Sequence, residues 1–275
     1  MVSFSSSEFS YIQKLIYEQS AIVIEPGKEY LVEARLSPLA HQTGCASISD
    51  LITRLRLEPN TGLHRVAVEA MTTNETSFFR DVTPFEALKK EVIPQLIARR
   101  AAEKTLSIWC AASSTGQEPY SLAMLLREHF PVLNSWKLYL MASDISTEVL
   151  ARARQGKFSQ LEVNRGLPAS MLVKYFHREG LEWQISDQLR RQIEFREINL
   201  AKEWPYIPML DLVLMRNVLI YFDIKTKKEI LEKTRRRLKS DGVLFLGTAE
   251  TTLNLDDSFV RSQFEQTSYY QIKPR

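Results

Sequence analysis

The sequence predicts an α/β protein built on a doubly wound sheet with a small inserted β-subdomain, preceded by a small all-α N-terminal domain. Three observations carry this. From Leu106 onward, short apolar runs alternate with helical patterns, which implies parallel strands covered by helices. The stretch LSIWCAASSTGQEPY, from Leu106 to Tyr120, breaks an apolar run with a turn of small residues and then opens a helix, where Pro119 suits a first position. Residues 1–70, in contrast, carry helical periodicity and no strand signal.

In chain order, Ser5 and Glu8 form a capping box ahead of Phe9, Ile12 and Ile16, which share one helical face. A second helix starts near Lys28 and is expected to bend or stop at Pro38, because proline lacks an amide donor and its ring meets the preceding turn. A third, capped by Ser47 or Ser49, runs to about Leu57 before Pro59, and a fourth covers roughly Leu63 to Met71. The polar segment Thr72 to Thr83 leads into a helix from Pro84 to Arg100, disturbed by Pro94. Strands are expected near 106–111, 137–143, 193–198, 211–216 and 242–248, with a last one near 264–272. Residues 156–192 break the alternation: Trp183 to Ile185 reads as a short strand among turns and one helix, Ala169 to Phe176, and marks an insertion. The expected domains are therefore 1–71 and 84–275, joined by 72–83.

A chain of 275 residues with 44% hydrophobic content supplies its own core. Cys45 and Cys110 lie far apart, and Cys110 falls inside an expected buried strand, so no structural disulfide and a reducing, cytoplasmic setting are expected. The N-terminus lacks an apolar signal core, and no run reaches the roughly 18 apolar residues of a membrane span. Net charge is only +3, and acidic residues outnumber basic ones before residue 71, which argues against nucleic acid. The basic run Lys225 to Lys239 carries Ile230, Leu231 and Leu238 at helical spacing, and no aromatic interrupts it to stack on a base.

The turn from Ala111 to Gly116 holds one glycine, so the G-x-G-x-x-G pattern that admits a diphosphate is absent. A cofactor without phosphates, such as S-adenosylmethionine, fits better; the bland alternative is a tight turn that binds nothing. The second apolar run ends in Ser143 and Asp144, and a carboxylate there holds ribose hydroxyls in Rossmann-like sheets. Its alternative is the N-cap of the next helix. Glu118 either complements an ammonium or stabilises a helix N-terminus, worth about 0.3–1 kcal/mol, and the two roles are compatible. Asn199 and Asn217 follow apolar strands at the carboxyl edge, as ligand contacts or as turn formers.

Five strings occur in order: TTNETSFFRD (72–81), WCAASSTGQEPYSLAM (109–124), ASDIS (142–146), REINL (196–200) and MRNVLIYFD (215–223). Together they closely resemble the CheR family, chemotaxis receptor methyltransferases that use S-adenosylmethionine to methylate glutamate side chains on receptor cytoplasmic helices. The resemblance covers nearly the whole chain. It implies the class I methyltransferase form of the Rossmann-like sheet, S-adenosylhomocysteine as product and no metal. It implies cofactor contacts from Asn74, Thr76, Arg80, Glu118, Asp144, Asn199, Leu200, Arg216 and Asn217, with 72–83 contributing to the active site, and it sets Arg80 and Tyr221 at the acceptor. The implied partner is the cytoplasmic helical domain of methyl-accepting chemoreceptors, recognised by the N-terminal helices of a monomeric enzyme that meets the membrane only through the receptor.

Two departures limit the likeness. Tyr175 to Phe195 contains only Gly180, where tail-docking members have a longer glycine-rich loop, so docking of a receptor-tail pentapeptide is not expected. The second helix reads RLSPLAHQ from Arg35 to Gln42, where members are often strongly basic, leaving Arg35, Arg54, Arg56 and Arg65 as cationic receptor contacts.

Free glutamate ionises near about pH 4.3, so at neutral pH such an acceptor is already a nucleophile and needs no general base. Arg80 and Tyr221 are thus expected to orient it. The planar fork of Arg80 suits a carboxylate, with a surface ion pair as the alternative; for Tyr221 the alternative is a buried tyrosine bonded to a backbone carbonyl. Phe78 and Phe79 are expected to pack. Among rival classes, a nucleic-acid methyltransferase lacks support because no Asn/Asp-Pro-Pro-aromatic motif follows the strand at 211–216. A non-catalytic adaptor of the same fold is disfavoured by the intact Arg80, Asp144, Asn217 and Tyr221, and a nicotinamide dehydrogenase by the missing glycines.

Overall fold

The computed structural model describes residues 4–58 and 62–274. Helix α1 (Ser6–Ser20) opens on its capping box: the Ser5 hydroxyl accepts from the Glu8 amide, and the Glu8 carboxylate accepts from the Ser5 amide at 2.6 Å. Its apolar face packs with α2 (Glu29–Gln42), α3 (Ile48–Leu57) and α4 (Gly62–Met71) around a core of their own. Ser47 caps α3 through the Asp50 amide; Pro59, expected to close that helix, lies outside the described residues. Helix α2 does not stop at Pro38 but runs through it to Gln42. An interior proline costs about 3 kcal/mol, but Leu36 and Leu39 on either side are buried, and each such side chain contributes roughly 1.5–3 kcal/mol.

Segment 72–82 leads to α5 (Thr83–Ala87), a π-helical turn at Leu88–Val92, and α6 (Ile93–Arg100). The wide turn lies just ahead of Pro94, whose ring would otherwise meet the Lys90 carbonyl. Then follow β1 (Thr105–Ala111), α7 (Gln117–His129), β2 (Lys137–Asp144) and α8 (Thr147–Gln155). The insertion comprises β3 (Lys157–Ser159), α9 (Gln160–Asn164), α10 (Ala169–Tyr175), β4 (Phe176–Glu179), β5 (Glu182–Ile185) and α11 (Asp187–Arg190). The chain ends with β6 (Ile193–Glu197), β7 (Leu210–Met215), α12 (Ile224–Arg237), β8 (Leu238–Leu246), β9 (Phe259–Phe264) and β10 (Thr267–Ile272).

The main sheet has the order β6-β2-β1-β7-β8-β10-β9, parallel except at β10, which pairs antiparallel with both neighbours. After β1 the chain works outward to β2 and β6, then returns to start β7 on the other side. The crevice at the carboxyl ends of β1 and β7 is therefore the switch point where open α/β sheets bind ligands. Both faces are covered: Leu106, Ile108 and Cys110 lie in one core layer, while Trp109 and Ala111 lie in the other.

Two strand expectations need correction. The single last strand near 264–272 is a hairpin, β9 and β10, joined through Glu265 at φ +49°; its outer strand, FVRSQF, interrupts its apolar residues with Arg, Ser and Gln, so no apolar run announces it. The insertion holds three antiparallel strands in the order β3-β5-β4, two of them too short and polar to read from sequence. Among the described residues, no helix is long and apolar enough to cross a membrane.

Candidate active site

The turn after β1 is built from left-handed residues at alternate positions: Ala112 at φ +54°, Ser114 at +49° and Gly116 at +97°. A Cβ on Gly116 would sit 3.1 Å from both Ala153 and the Tyr120 ring, so the glycine serves conformation and packing together. This geometry turns the Ser113 amide to the Ser143 carbonyl and the Ser114 amide to the Asp144 carboxylate, both at 2.8 Å. Asp144, at the end of β2, also accepts from the Ser146 amide at 3.0 Å. Ser146, not Asp144, caps α8, which removes the N-cap alternative for the aspartate. Burial lifts the Asp144 carboxyl above its ordinary range, and the amides of Ser146 and Ser114 act against that rise.

Glu118 in the first turn of α7 meets Arg216 at the end of β7, with Nη1 to Oε2 at 2.9 Å. The second Arg216 arm donates to the Arg80 carbonyl at 3.0 Å and to the Asp81 carboxylate at 2.7 Å. One buried guanidinium therefore ties β7, α7 and the linker together. Burial raises the Glu118 carboxyl, opposed by the nearby Arg216 and Arg80 charges. Arg80 itself donates to the Glu75 carbonyl at 3.0 Å and folds the linker on itself. Phe78 is fully buried against Phe158 and Phe176 of the insertion, and Phe79 stacks edge-on with Phe85, so both are packing residues.

At the ends of β6 and β7 the asparagines form turns and also line the cleft. The Asn199 side chain accepts from the Ala201 amide and donates to the Gln19 carbonyl of α1, while Asn217 adopts φ +59°. A short 3-10 turn, Leu219–Tyr221, follows. The N-terminal domain reaches this place too: the Val23 amide donates to the Tyr221 carbonyl, and Ile22 bridges Phe222.

These pieces enclose a cleft of about 900 Å³ including its mouth. All nine expected cofactor residues line it, from Asn74 and Thr76 on the linker to Arg216 and Asn217 after β7, together with Tyr221. Of the expected cationic contacts, Arg35 differs: its fork holds the linker through the Met71 and Thr72 carbonyls and the Thr73 hydroxyl. Arg54 pairs with Glu58, Arg56 lies 4.8 Å over the Tyr11 ring, and Arg65 is 3.9 Å from Glu69. Sequence reasoning missed Ile22 and Ser20 of the N-terminal domain, Ser113, and Glu250, which bonds the turn after β7. Ser20, Ile22 and Glu250 carry no local signal, because each meets the site only through tertiary contact, whereas Ser113 lies within the small-residue turn already singled out.

The site suits an adenosyl sulfonium amino acid. Ile145, Ile198, Leu200, Val218 and Phe222 supply apolar walls for a base, Asp144 keeps acceptor capacity beside them, and Glu118 offers charge for an ammonium. The buried Ser113 hydroxyl and Arg216 Nε have no protein partner, and both residues belong to the cleft wall. Fold and cleft together define a class I S-adenosylmethionine-dependent methyltransferase. Residues 7–72 match the family described as CheR methyltransferase, all-alpha domain, and residues 74–268 match CheR methyltransferase, SAM binding domain. The chain belongs to the CheR methyltransferase family. It is 37% identical over 277 residues to Chemotaxis protein methyltransferase 1 of Pseudomonas aeruginosa, covering 99% of this chain and 100% of that one. Identity is 36% to Chemotaxis protein methyltransferase Cher2 of Pseudomonas putida (99% and 100% covered) and 34% to the Chemotaxis protein methyltransferase of Vibrio parahaemolyticus (99% of both).

Proposed function

We propose that this enzyme methylates glutamate side-chain carboxylates on the cytoplasmic helical domain of methyl-accepting chemoreceptors, forming glutamyl 5-O-methyl esters and S-adenosylhomocysteine. The observation that carries this is the convergence of five separated segments, which bring Arg80, Tyr221, Asp144 and Glu118 to one cleft. The names of its relatives support the chemotaxis setting. When bound, S-adenosylmethionine supplies an electrophilic methyl on a sulfonium.

The chain's own residues bind and align. Asp144 accepts the ribose hydroxyls, and Glu118 presents charge to the ammonium while Arg216 fixes its other oxygen. Arg80 grips the acceptor carboxylate through the oxygen that does not attack, since pairing the attacking oxygen would blunt it. Tyr221 fixes the acceptor's orientation. Because the nucleophile is already ionised, alignment is the main device, and it can lower a barrier by roughly 7–11 kcal/mol in favourable cases.

Recognition rests on the N-terminal helices, with Arg54, Arg56 and Arg65 as the remaining cationic contacts. Tail-peptide docking is not part of this proposal: β4 and β5 are joined by Gly180 and Leu181 alone, which supports a tight hairpin in place of a docking loop. A monomeric, cytoplasmic enzyme that meets the membrane only through its receptor fits this scheme.

Transfer of tritiated methyl to a receptor-containing membrane fraction, followed by alkali, tests it. Glutamyl esters release methanol whereas N-methyl groups do not, so alkali-stable label would overturn the proposal. Micromolar binding of a receptor-tail peptide, with loss of activity on tail truncation, would overturn the tail-independent part.

A further inference from the structure

The turn from Asn217 to Tyr221 brings three cleft-lining residues, Asn217, Val218 and Tyr221, into place, yet its backbone is poorly suited to hold itself there. Asn217 is left-handed, and the first amides of the short turn Leu219–Tyr221 have no partner inside it. Glu250, 33 residues from Asn217 in sequence, meets them. One carboxylate oxygen accepts from the Asn217 amide at 2.8 Å and the Gly247 amide at 2.6 Å. The other accepts from the Val218 amide at 2.8 Å and the Ile220 amide at 3.2 Å. Glu250 is 9% exposed, and these bonds all come from main chain.

Only an ionised carboxylate accepts at every position; a glutamine would turn its NH2 group toward two of these amides. Gly247 belongs to the same cradle, since a Cβ there would lie 2.7 Å from Glu250 Oε2 and 2.8 Å from both nitrogens of Asn217. The far end of the turn is fixed separately, by the Val23 amide on the Tyr221 carbonyl. We propose that Glu250 is a positioning residue for methyl transfer: its carboxylate gathers the amides of residues 217, 218, 220 and 247 and so sets Asn217 and Tyr221 in the cleft. This rests on the reading that Tyr221 orients the acceptor.

The experiment uses the full-length enzyme with Glu250→Gln, Glu250→Ala and Tyr221→Phe, singly and with Tyr221→Phe added to Glu250→Gln. At saturating cofactor and receptor, Glu250→Gln is expected to lower kcat roughly 10- to 100-fold through misplacement. Glu250→Ala should be worse, because glutamine retains one acceptor oxygen. Tyr221→Phe should cost little more in the Glu250→Gln background, since both changes remove the same alignment. Wild-type turnover in folded Glu250→Gln, or effects of the two substitutions that simply multiply, would overturn the proposal. Should Glu250→Gln fail to fold, Gly247→Ala presses on the same cradle and takes its place. Amide hydrogen exchange at residues 217–220 tests the cradle without any substrate: faster exchange in the variant is expected, and unchanged protection overturns the proposal. A wild-type enzyme that yields no base-labile methyl marks failure of the substrate assignment instead.

Discussion

Replacing Asp144 by asparagine tests where the cofactor's ribose lies. The carboxylate is 6% exposed, and the amides of Ser114 and Ser146 occupy part of its acceptor capacity at 2.8 and 3.0 Å. What is left faces the cleft and suits a vicinal diol. Asparagine keeps the shape, removes the charge and offers a single acceptor oxygen. A hydrogen bond to a charged group contributes about 1.5–3 kcal/mol. Water entering the weakened site returns part of a second bond, so the expected net loss is about one such bond, roughly 10- to 150-fold in Kd. Calorimetry with S-adenosylhomocysteine, which cannot turn over, measures this directly. The 2′-deoxy analogue supplies the second arm: it should bind the wild type weakly, and Asp144→Asn should scarcely distinguish the two ligands. An unchanged Kd in the folded variant, or an equal penalty for both ligands, would remove Asp144 from the ribose site.

Burial raises the Glu118 and Asp144 carboxyls in the free protein, and a bound ammonium and diol favour their ionised forms. Affinity should therefore be full above the raised values, fall as pH drops through them, and level off below the lowered values of the complex. Calorimetry in buffers of differing ionisation enthalpy should show protons released on binding; uptake would contradict the sign. For catalysis, Tyr221→Phe should cut the rate of base-labile transfer without reshaping the profile from about pH 6 to 9, Arg80→Ala should be worse, and Arg80→Lys should recover little because an ammonium lacks the planar fork. A wild-type rate rising tenfold per pH unit near neutrality, and losing that slope in Tyr221→Phe, would show a proton being removed. Away from the cleft, the fully buried Asp211 bonds Arg100 Nε at 2.6 Å, the Ser107 amide at 2.8 Å and Lys239 Nζ at 3.0 Å. Asp211→Ala should lower the unfolding free energy in urea titration by about 1–3 kcal/mol, because it leaves Arg100 Nε and the Ser107 amide without their buried acceptor while Arg100 keeps its bonds to Asp241. A loss below about 1 kcal/mol, typical of a surface pair, would show the network to be dispensable.

Where local chemistry dictates structure, the sequence was legible. The apolar runs of β1, β2, β7 and β8, the small-residue turn, the box at Ser5 and Glu8 and the stop at Asp144 all declare themselves within a few residues. What escaped depends on partners far along the chain. Pro38 stays helical because its neighbours are buried where α2 packs on α3 and α4, a gain no helical rule contains. The strand β9, FVRSQF, has no continuous apolar run and gains its identity from pairing with β10. At the site, Asp144 could be picked out from its place after a strand, but the Arg216 fork joining Glu118 to Asp81, and the Glu250 carboxylate gathering four amides, are separated in sequence by tens of residues. Motif strings located the former pair without explaining it and missed Glu250 altogether.

The contact of Ile22 and Val23 with Phe222 and Tyr221, continued by the bonds of Tyr17, Glu18 and Gln19 to Asp223, Lys202 and Asn199, forms one of two seams among the described residues between the helical N-terminus and the methyltransferase domain. In the other, Glu69 of α4 accepts from the hydroxyls of Ser146 and Thr147 at the start of α8, immediately after Asp144. With recognition assigned to the N-terminal helices as proposed, recognition and chemistry are consequently not separable modules. A catalytic fragment cut at residue 72 would lose Ser20 and Ile22 from the wall of its own cleft and leave the Tyr221 carbonyl and the head of α8 short of a partner. Exchanging the helices for those of a relative, to redirect the enzyme to another receptor, would succeed only if the donor brings its own versions of both seams. Under that proposal, substrate choice is inherited together with the shape of the active site.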